Sequence, residues 1–158
     1  MEKYIVSPIE TRLIGKKEIN IFACDDDNVD QETIQSFGDE WKSFSKFSDH
    51  DIKVAGEQYF DIVPESIYAG KYTLDVGCGT GRWSKYISQL VGELEAIDPS
   101  EAVISAVALL QDNENVRISQ ASAGNIPFPD DTFDFVLSLG VLHHIPDTRG
   151  AMQKCIDK

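Results

Sequence analysis

Apolar residues recur along this chain at two different periods, and the change falls near Gly70. Before it, Ile34, Phe37, Trp41, Phe44 and Phe47 follow one another at steps of three and four, the spacing of one stripe on a helix that Gly38 interrupts. Ile52, Tyr59 and Val63 make a second stripe that ends at Pro64, and residues 12–23 (RLIGKKEINIFA) read as a strand or a hairpin with Gly15 at the turn. After Gly70, short β-rich runs alternate with helical ones. Strands are predicted at 72–76, 93–97, 116–119 and 133–139, and helices at 82–91 and 101–110. Ser100 is placed to cap the second of these helices, whose Val103, Val107 and Leu110 share a face, and Asp147 is placed to cap a last helix.

Strands that alternate with helices imply an α/β fold, a three-layer sandwich whose mainly parallel sheet is covered on both faces. Ligands of such sheets bind beyond the carboxyl ends of the strands, where the strand order reverses. The division at Gly70 predicts a ligand-binding domain over residues 71–158 and, over residues 1–70, a largely helical extension that serves as cover or lid. A chain of 158 residues buries one moderate core, so the extension is not expected to be a second domain.

Composition narrows the partners. The formal net charge of −13 repels phosphate backbones and anionic lipid, which argues against nucleic acid and membrane surfaces. No run reaches the roughly 18 apolar residues of a membrane span, and the start, MEKYIVSPIE, has no signal-peptide pattern, so a cytoplasmic protein is expected. Cys24, Cys78 and Cys155 are far apart and form no CxxC pair, which points to free thiols rather than disulfides or zinc. The acidic run Asp25-Asp26-Asp27 lacks the glycine and further oxygen ligands of a calcium loop and reads as solvated, so no metal site is expected.

The chemistry gathers on the loops that follow the strands. Asp75-Val76-Gly77-Cys78-Gly79-Thr80-Gly81 is a D-x-G-x-G-x-G turn between a strand and a helix, and its glycines permit positive φ and let ligand atoms approach the backbone. A pyrophosphate fingerprint would need Gly or Ala where this chain has Arg82. Asp75 would also repel a pyrophosphate, whereas it suits a ligand that carries an ammonium and a sulfonium group. Cys78 contributes small size and backbone contacts here, since no activating base adjoins it. About twenty residues on, Asp98, with Pro99 beside it, ends the second strand, where an acid accepts hydrogen bonds from both hydroxyls of a ribose. The third strand leads into Ser122-Ala123-Gly124-Asn125-Ile126-Pro127-Phe128-Pro129, a loop able to present polar atoms and an apolar side chain to an adenine edge. The fourth strand delivers Leu139 and then His143 and His144 to the same rim.

Over residues 71–147, the LDVGCGTG turn, the acid-ended strand, NIPFPDDTFDFVLS and VLHHIPD together resemble the class I (Rossmann-like) S-adenosylmethionine-dependent methyltransferases, especially the branch with small-molecule acceptors. The resemblance implies S-adenosylmethionine as cofactor, with S-adenosylhomocysteine as product. It implies that Asp75, Gly77 and Gly79 line the methionine part, Asp98 the ribose, Ala123 and Ile126 the adenine, and Leu139 the carbonyl side of the methionine pocket. Gly81 and Cys78 belong to the same turn. The family usually has Asp where this chain has Ser122, and a neutral hydroxyl is a weaker acceptor for the adenine amino group by about 1 kcal/mol.

His144 and His143 are the candidate catalytic residues, because histidine titrates near neutrality and their loop meets the rim. Trp41 is the candidate substrate-facing aromatic of a helical lid. The family domain has seven strands and this sequence supplies four, so the resemblance implies a chain truncated at its C-terminus with an exposed fourth strand, an edge that a homodimer would cover. Two functions follow from this reading. One is methyl transfer to a small-molecule acceptor; the other is an S-adenosylmethionine-binding fragment or regulatory module without turnover. A nicotinamide dehydrogenase ranks below both.

Overall fold

The structure, a computed structural model, describes residues 3–24 and 48–158. Strands β1 (Glu10–Ile14) and β2 (Lys17–Ile21) form a hairpin about Gly15, which has φ of 58°. Helix α1 (Asp49–Phe60) follows, and the chain then alternates β3 (Tyr72–Val76), α2 (Arg82–Ile87), β4 (Glu93–Asp98), α3 (Ala102–Leu110), β5 (Val116–Gln120), β6 (Phe135–Leu137) and α4 (Thr148–Ile156). The six strands lie in one sheet in the order β1-β2-β5-β4-β3-β6, and only the hairpin pairs antiparallel. From β3 the chain steps outward to β4 and β5 and then returns to place β6 on the other side of β3. The order therefore reverses beside β3, and the loop after β3 opens at the crevice where such sheets bind ligands.

Period-two alternation sends each strand's side chains to two separate cores. On one face, Leu94, Ala96, Val116, Ile118, Ile19 and Leu137 meet the apolar stripes of α1, α2 and α3, among them Phe60, Ile87, Val103, Val107 and Leu110. On the other face, Leu74, Val76 and Ile97 meet Phe22, Ile126, Phe128 and, from α4, Ala151. Among the described residues, helices thus cover the first face, whereas a loop and a single helix cover the second.

The sheet has six strands rather than the four expected from residue 72 onward, because the hairpin joins it. The reason is legible in β2: Ile19 and Ile21 are buried against the helix-side core, and Asn20 and Ile21 continue the ladder beside Ser119 and Gln120 of β5. Two elements are shorter than their patterns suggest. Helix α2 ends at Ile87, and the amide of Asn115 donates to the carbonyl of Ser88 at 2.8 Å, ending the turn with a side chain. Strand β6 ends at Leu137, where the hydroxyl of Ser138, not its N–H, reaches the carbonyl of Val76 at 2.8 Å. Helix α3 begins at Ala102, one residue later than expected, while α4 is capped as expected, with Asp147 accepting from the Gly150 N–H at 2.9 Å. The stripe from Ile34 to Phe47, Trp41 included, lies outside the described residues. Among the described residues, no helix is long and apolar enough to cross a membrane.

If the hairpin is part of the cooperative core, removing its central apolar side chain will be felt globally. Ile19→Ala, at a position 1% exposed, is expected to lower the unfolding free energy by about 2–5 kcal/mol in one urea transition, the usual cost of truncating a buried aliphatic side chain. A cost under about 0.5 kcal/mol, typical of surface positions, would detach the hairpin from the fold.

Candidate functional site

The turn after β3 is built from main-chain donors and the residues that free them. Gly77, Gly79 and Gly81 have φ of 82°, 54° and 84°, all in the left-handed region. This lets the chain fold back over the end of β4: the N–H groups of Gly77 and Cys78 both donate to the carbonyl of Ile97, at 2.8 and 2.9 Å. The N–H of Gly79 goes instead to the carboxylate of Asp98, Oδ2, at 2.9 Å. A Cβ on Gly77 would run into the methyl groups of Val141, and one on Gly81 would crowd Leu110 and Ala106. Gly79 is different, since among the described residues nothing lies within 4 Å of the place its Cβ would take. The turn is therefore packed on both flanks and open at its crest, as a cradle for a ligand must be.

Two buried carboxylates stand on adjacent strands beneath this crest. Asp75 is 2% exposed and accepts a 2.6 Å hydrogen bond from the hydroxyl of Ser84. Burial pushes its pKa up to about 7, only partly offset by the Ser84 hydrogen bond, and the charge of Asp98 raises it further. Asp98, at 9% exposure, accepts from the N–H and hydroxyl of Ser100 at 2.9 and 2.6 Å and from Gly79. Its pKa is also raised, chiefly by burial against those hydrogen bonds. In both, burial works against the charged form, and an arriving cation or further donors would favour it. Cys78, buried beside both, has its thiol pushed up by burial and by the two carboxylates, so it stays protonated and is not a nucleophile.

The remaining predicted residues fall on the same carboxyl edge, but not all in contact. Pro99 is linked to the end of β5 through its carbonyl, which accepts from the side chain of Gln120 at 2.9 Å. The next loop begins where the Ala121 N–H bonds the carbonyl of Asp98, at 3.1 Å. In it Ser122 is 2% exposed and its hydroxyl oxygen accepts from the Asn125 N–H at 3.0 Å. Ala123 and Ile126 are buried with Leu74, Val76 and Ile97. Leu139 lies two residues beyond β6, half-buried against the helix-side core. His143 and His144 are exposed on a single 3-10 turn, their rings 3.8 Å apart, just after the Val141 that presses on Gly77.

Two residues of the site escaped the reading of the sequence, and a third, Ser100, was read only as a helix cap. Ser84 and Val141 reach it from another element, with no local spacing to announce them. Ser100 carried a signal: a hydroxyl two residues after an aspartate is placed for a local turn, and here it caps the Ala102 N–H at 3.2 Å while donating to Asp98. A groove of about 380 Å³ lies elsewhere, between β6 and α4, lined by Phe135, Leu137, Met152, Cys155 and Ile156 and by none of the turn residues.

Residues 74–157, just over half of the chain, match the methyltransferase-domain family. The chain belongs to that family, the class I methyltransferases. Among its relatives, the uncharacterized methyltransferase YcgJ of Bacillus subtilis is 35% identical over 85 residues, 51% of this chain and 33% of that protein. The ubiquinone biosynthesis O-methyltransferase of Pseudomonas fluorescens is 32% identical over 123 residues, 73% of this chain and 50% of that one. Among solved structures, a SAM-dependent methyltransferase from Aquifex aeolicus superposes with a TM-score of 0.57 at 25% identity, over 71% of this chain and 67% of the other. The methyltransferase chain spans a third to a half of the length of the curated relatives it matches first. The resemblance drawn from the sequence motifs is thus correct at the level of family and fold.

The state of Asp75 has a measurable consequence. A carboxyl whose pKa is raised on folding contributes stability that is complete below its ordinary value, near 4, and lost as pH rises through about 7. Asp75→Asn keeps an acceptor for Ser84 and removes the charge, so its unfolding free energy relative to the parent is expected to increase between pH 5 and 8 and level off above. A difference flat with pH across that range, followed by urea denaturation, would show that Asp75 ionises normally.

Proposed function

We propose that this chain binds S-adenosylmethionine on the turn after β3 and transfers its methyl group to a small-molecule acceptor. The observation that carries the reading is the pair of buried acids, Asp75 and Asp98, set under a glycine turn whose crest is open. Their raised pKa values favour a partner that brings positive charge and hydroxyl donors together. When bound, S-adenosylmethionine supplies an electrophilic methyl carbon on a cationic sulfur leaving group. Asp75 would answer the ammonium group, and Asp98 would accept from the ribose hydroxyls with lone pairs that Gly79 and Ser100 leave free. Gly77, Cys78 and Gly81 would shape the backbone around the methionine part, with Leu139 at its carbonyl side. Ser122, Ala123 and Ile126 would form the adenine side, next to Pro99.

In-line methyl transfer asks the protein mainly to align and desolvate the acceptor, and a base only where the acceptor must lose a proton. His144 and His143 would meet that need, since their turn follows the Val141 that packs on Gly77. A small acceptor is supported by two relatives whose names place them in ubiquinone biosynthesis and at demethylmenaquinone.

Calorimetry with S-adenosylhomocysteine, which retains the ammonium group, tests the cofactor half. Affinity is expected to rise from pH 6 toward 8, approaching tenfold per unit below the pKa of Asp75, and the slope is expected to vanish in Asp75→Asn. Asp75→Ala is expected to fold and to bind at least about tenfold more weakly, the loss of one charge-assisted contact. Transfer from methyl-labelled cofactor to a metabolite pool tests the chemistry. Binding without transfer to any acceptor would favour a cofactor-binding fragment or regulatory module, and tighter binding of NAD than of S-adenosylhomocysteine would overturn the reading.

A further inference from the structure

Far from the turn in sequence, residues 3–5 lie across the face of the sheet on which α4 packs. Each of the three makes a contact of its own. The ammonium of Lys3 is 3.0 Å from Oε1 of Glu95, a side chain 1% exposed that also accepts from the Tyr72 hydroxyl at 3.0 Å and from Arg117 Nε at 2.5 Å. The ring of Tyr4 packs on Phe22 and Phe128 with centroids 5.0 and 5.3 Å apart, and its hydroxyl accepts from the Asn20 amide at 3.1 Å. The N–H of Ile5 donates to the carbonyl of Pro127 at 2.9 Å.

Two of these contacts fall on the loop that follows β5. Pro127 and Phe128 come directly after Ile126, and Phe128 is fully buried, edge-on to Phe133 with ring centroids 5.0 Å apart. The start of the loop is fixed by the Ala121 N–H on Asp98, and its middle by the ammonium of Lys154 from α4, which donates to the carbonyl of Gly124. Beyond Pro129 it is tied to the end of α4, where the N–H groups of Asp131 and Phe133 donate to the carbonyls of Asp157 and Lys158 at 2.8 and 2.7 Å; between these two anchors, Pro127 and Phe128 are held by the aromatic cluster and residues 3–5. A loop in this position would otherwise be carried by a covering helix, and here none follows β5 before β6.

We propose that residues 3–5 form a strap that holds the loop after β5 in the conformation the cofactor's adenine requires, with Tyr4 as its positioning residue. The inference rests on the assignment of Ser122, Ala123 and Ile126 to the adenine side. Tyr4 packs against the buried cluster that includes Ala123 and Ile126, and its ring contacts there are with Phe22 and Phe128. It acts through Phe128: the strap preorganises the loop, so that binding does not have to order it. Lys3 contributes by anchoring the strap to an acid whose other oxygen, Oε2, has no hydrogen-bond partner among the described residues. The charge of Lys3 therefore matters to the buried Glu95 as well as to the strap.

Tyr4→Ala in the full chain is the direct test, read by calorimetry with S-adenosylhomocysteine and by hydrogen exchange. If the variant leaves the loop competent about one tenth of the time, affinity falls about tenfold, and the Asn125 amide, held by Ser122, exchanges faster. Tyr4→Phe keeps the ring on Phe22 and Phe128, loses only the Asn20 hydrogen bond, and is expected to restore affinity. Val116→Ala, at the opposite end of β5, destabilises the core without touching the loop and is expected to leave affinity unchanged. Unchanged affinity or unchanged exchange in Tyr4→Ala would overturn the strap, as would an equal loss of affinity in Val116→Ala. A parent chain that fails to bind S-adenosylhomocysteine would overturn the cofactor assignment itself, which the parent titration shows before any variant is compared.

Discussion

Three consecutive main-chain N–H groups, those of Gly77, Cys78 and Gly79, bond the last two residues of β4, two to the carbonyl of Ile97 and one to the carboxylate of Asp98. Only a chain with positive φ at Gly77 and Gly79 can point them that way. Most of the site depends on this fold-back. It closes the carboxyl end of β3 over Asp75, and the resulting burial, rather than any neighbouring charge, is the main reason that acid is hard to ionise. It also orients Asp98, whose two oxygens are divided between the turn and Ser100.

The sheet order explains why the turn is accessible at all. With β4 on one side of β3 and β6 on the other, the turn after β3 stands where the strand order reverses. The crest at Gly79 stays open, while Val141 closes one flank and the α3 residues Leu110 and Ala106 close the other. Burying two carboxylates this close together costs stability unless each is hydrogen-bonded. Ser84, Ser100 and the Gly79 N–H supply those bonds, and among the described residues no basic side chain pairs with either acid. Two buried acids on adjacent strand ends distinguish this turn from the ordinary polar end of a sheet, and they support the proposal of a cationic ligand rather than a pyrophosphate.

A similar division runs through the second face of the sheet. Glu95 is buried there beneath Lys3, Tyr72 and Arg117, and the Arg117 guanidinium also reaches Glu93 at 2.7 Å. The amino-terminal half of β4 is thus charge-paired, and its carboxyl end is not. One strand carries an ion-paired acid at Glu95 and, at its carboxyl end, Asp98, the acid proposed to face the ribose, and their surroundings, not their chemistry, separate the two.

Much of this was legible in the chain. The alternation of strand and helix after Gly70, the D-x-G-x-G-x-G turn, the acid at the end of the next strand and the Asp147 cap all rest on short-range geometry: a period of two or 3.6, a positive φ, an oxygen two or three residues from an N–H. Such features are set by neighbours along the chain, so the order of residues decides them. The aromatic stripe around Trp41 had the same kind of pattern but lies outside the described residues. What the order of residues did not decide was the pairing of β2 with β5, the early ends of α2 and β6, the Ser84 bond to Asp75, the pressure of Val141 on Gly77 and the seat of Tyr4 on Phe128. Each of these joins separate elements, most of them far apart in sequence, where no periodicity relates one residue to the other. They exist because an unpaired strand edge, a buried carboxylate and an uncovered apolar face each needed a partner, and packing in three dimensions chose which residue supplied it.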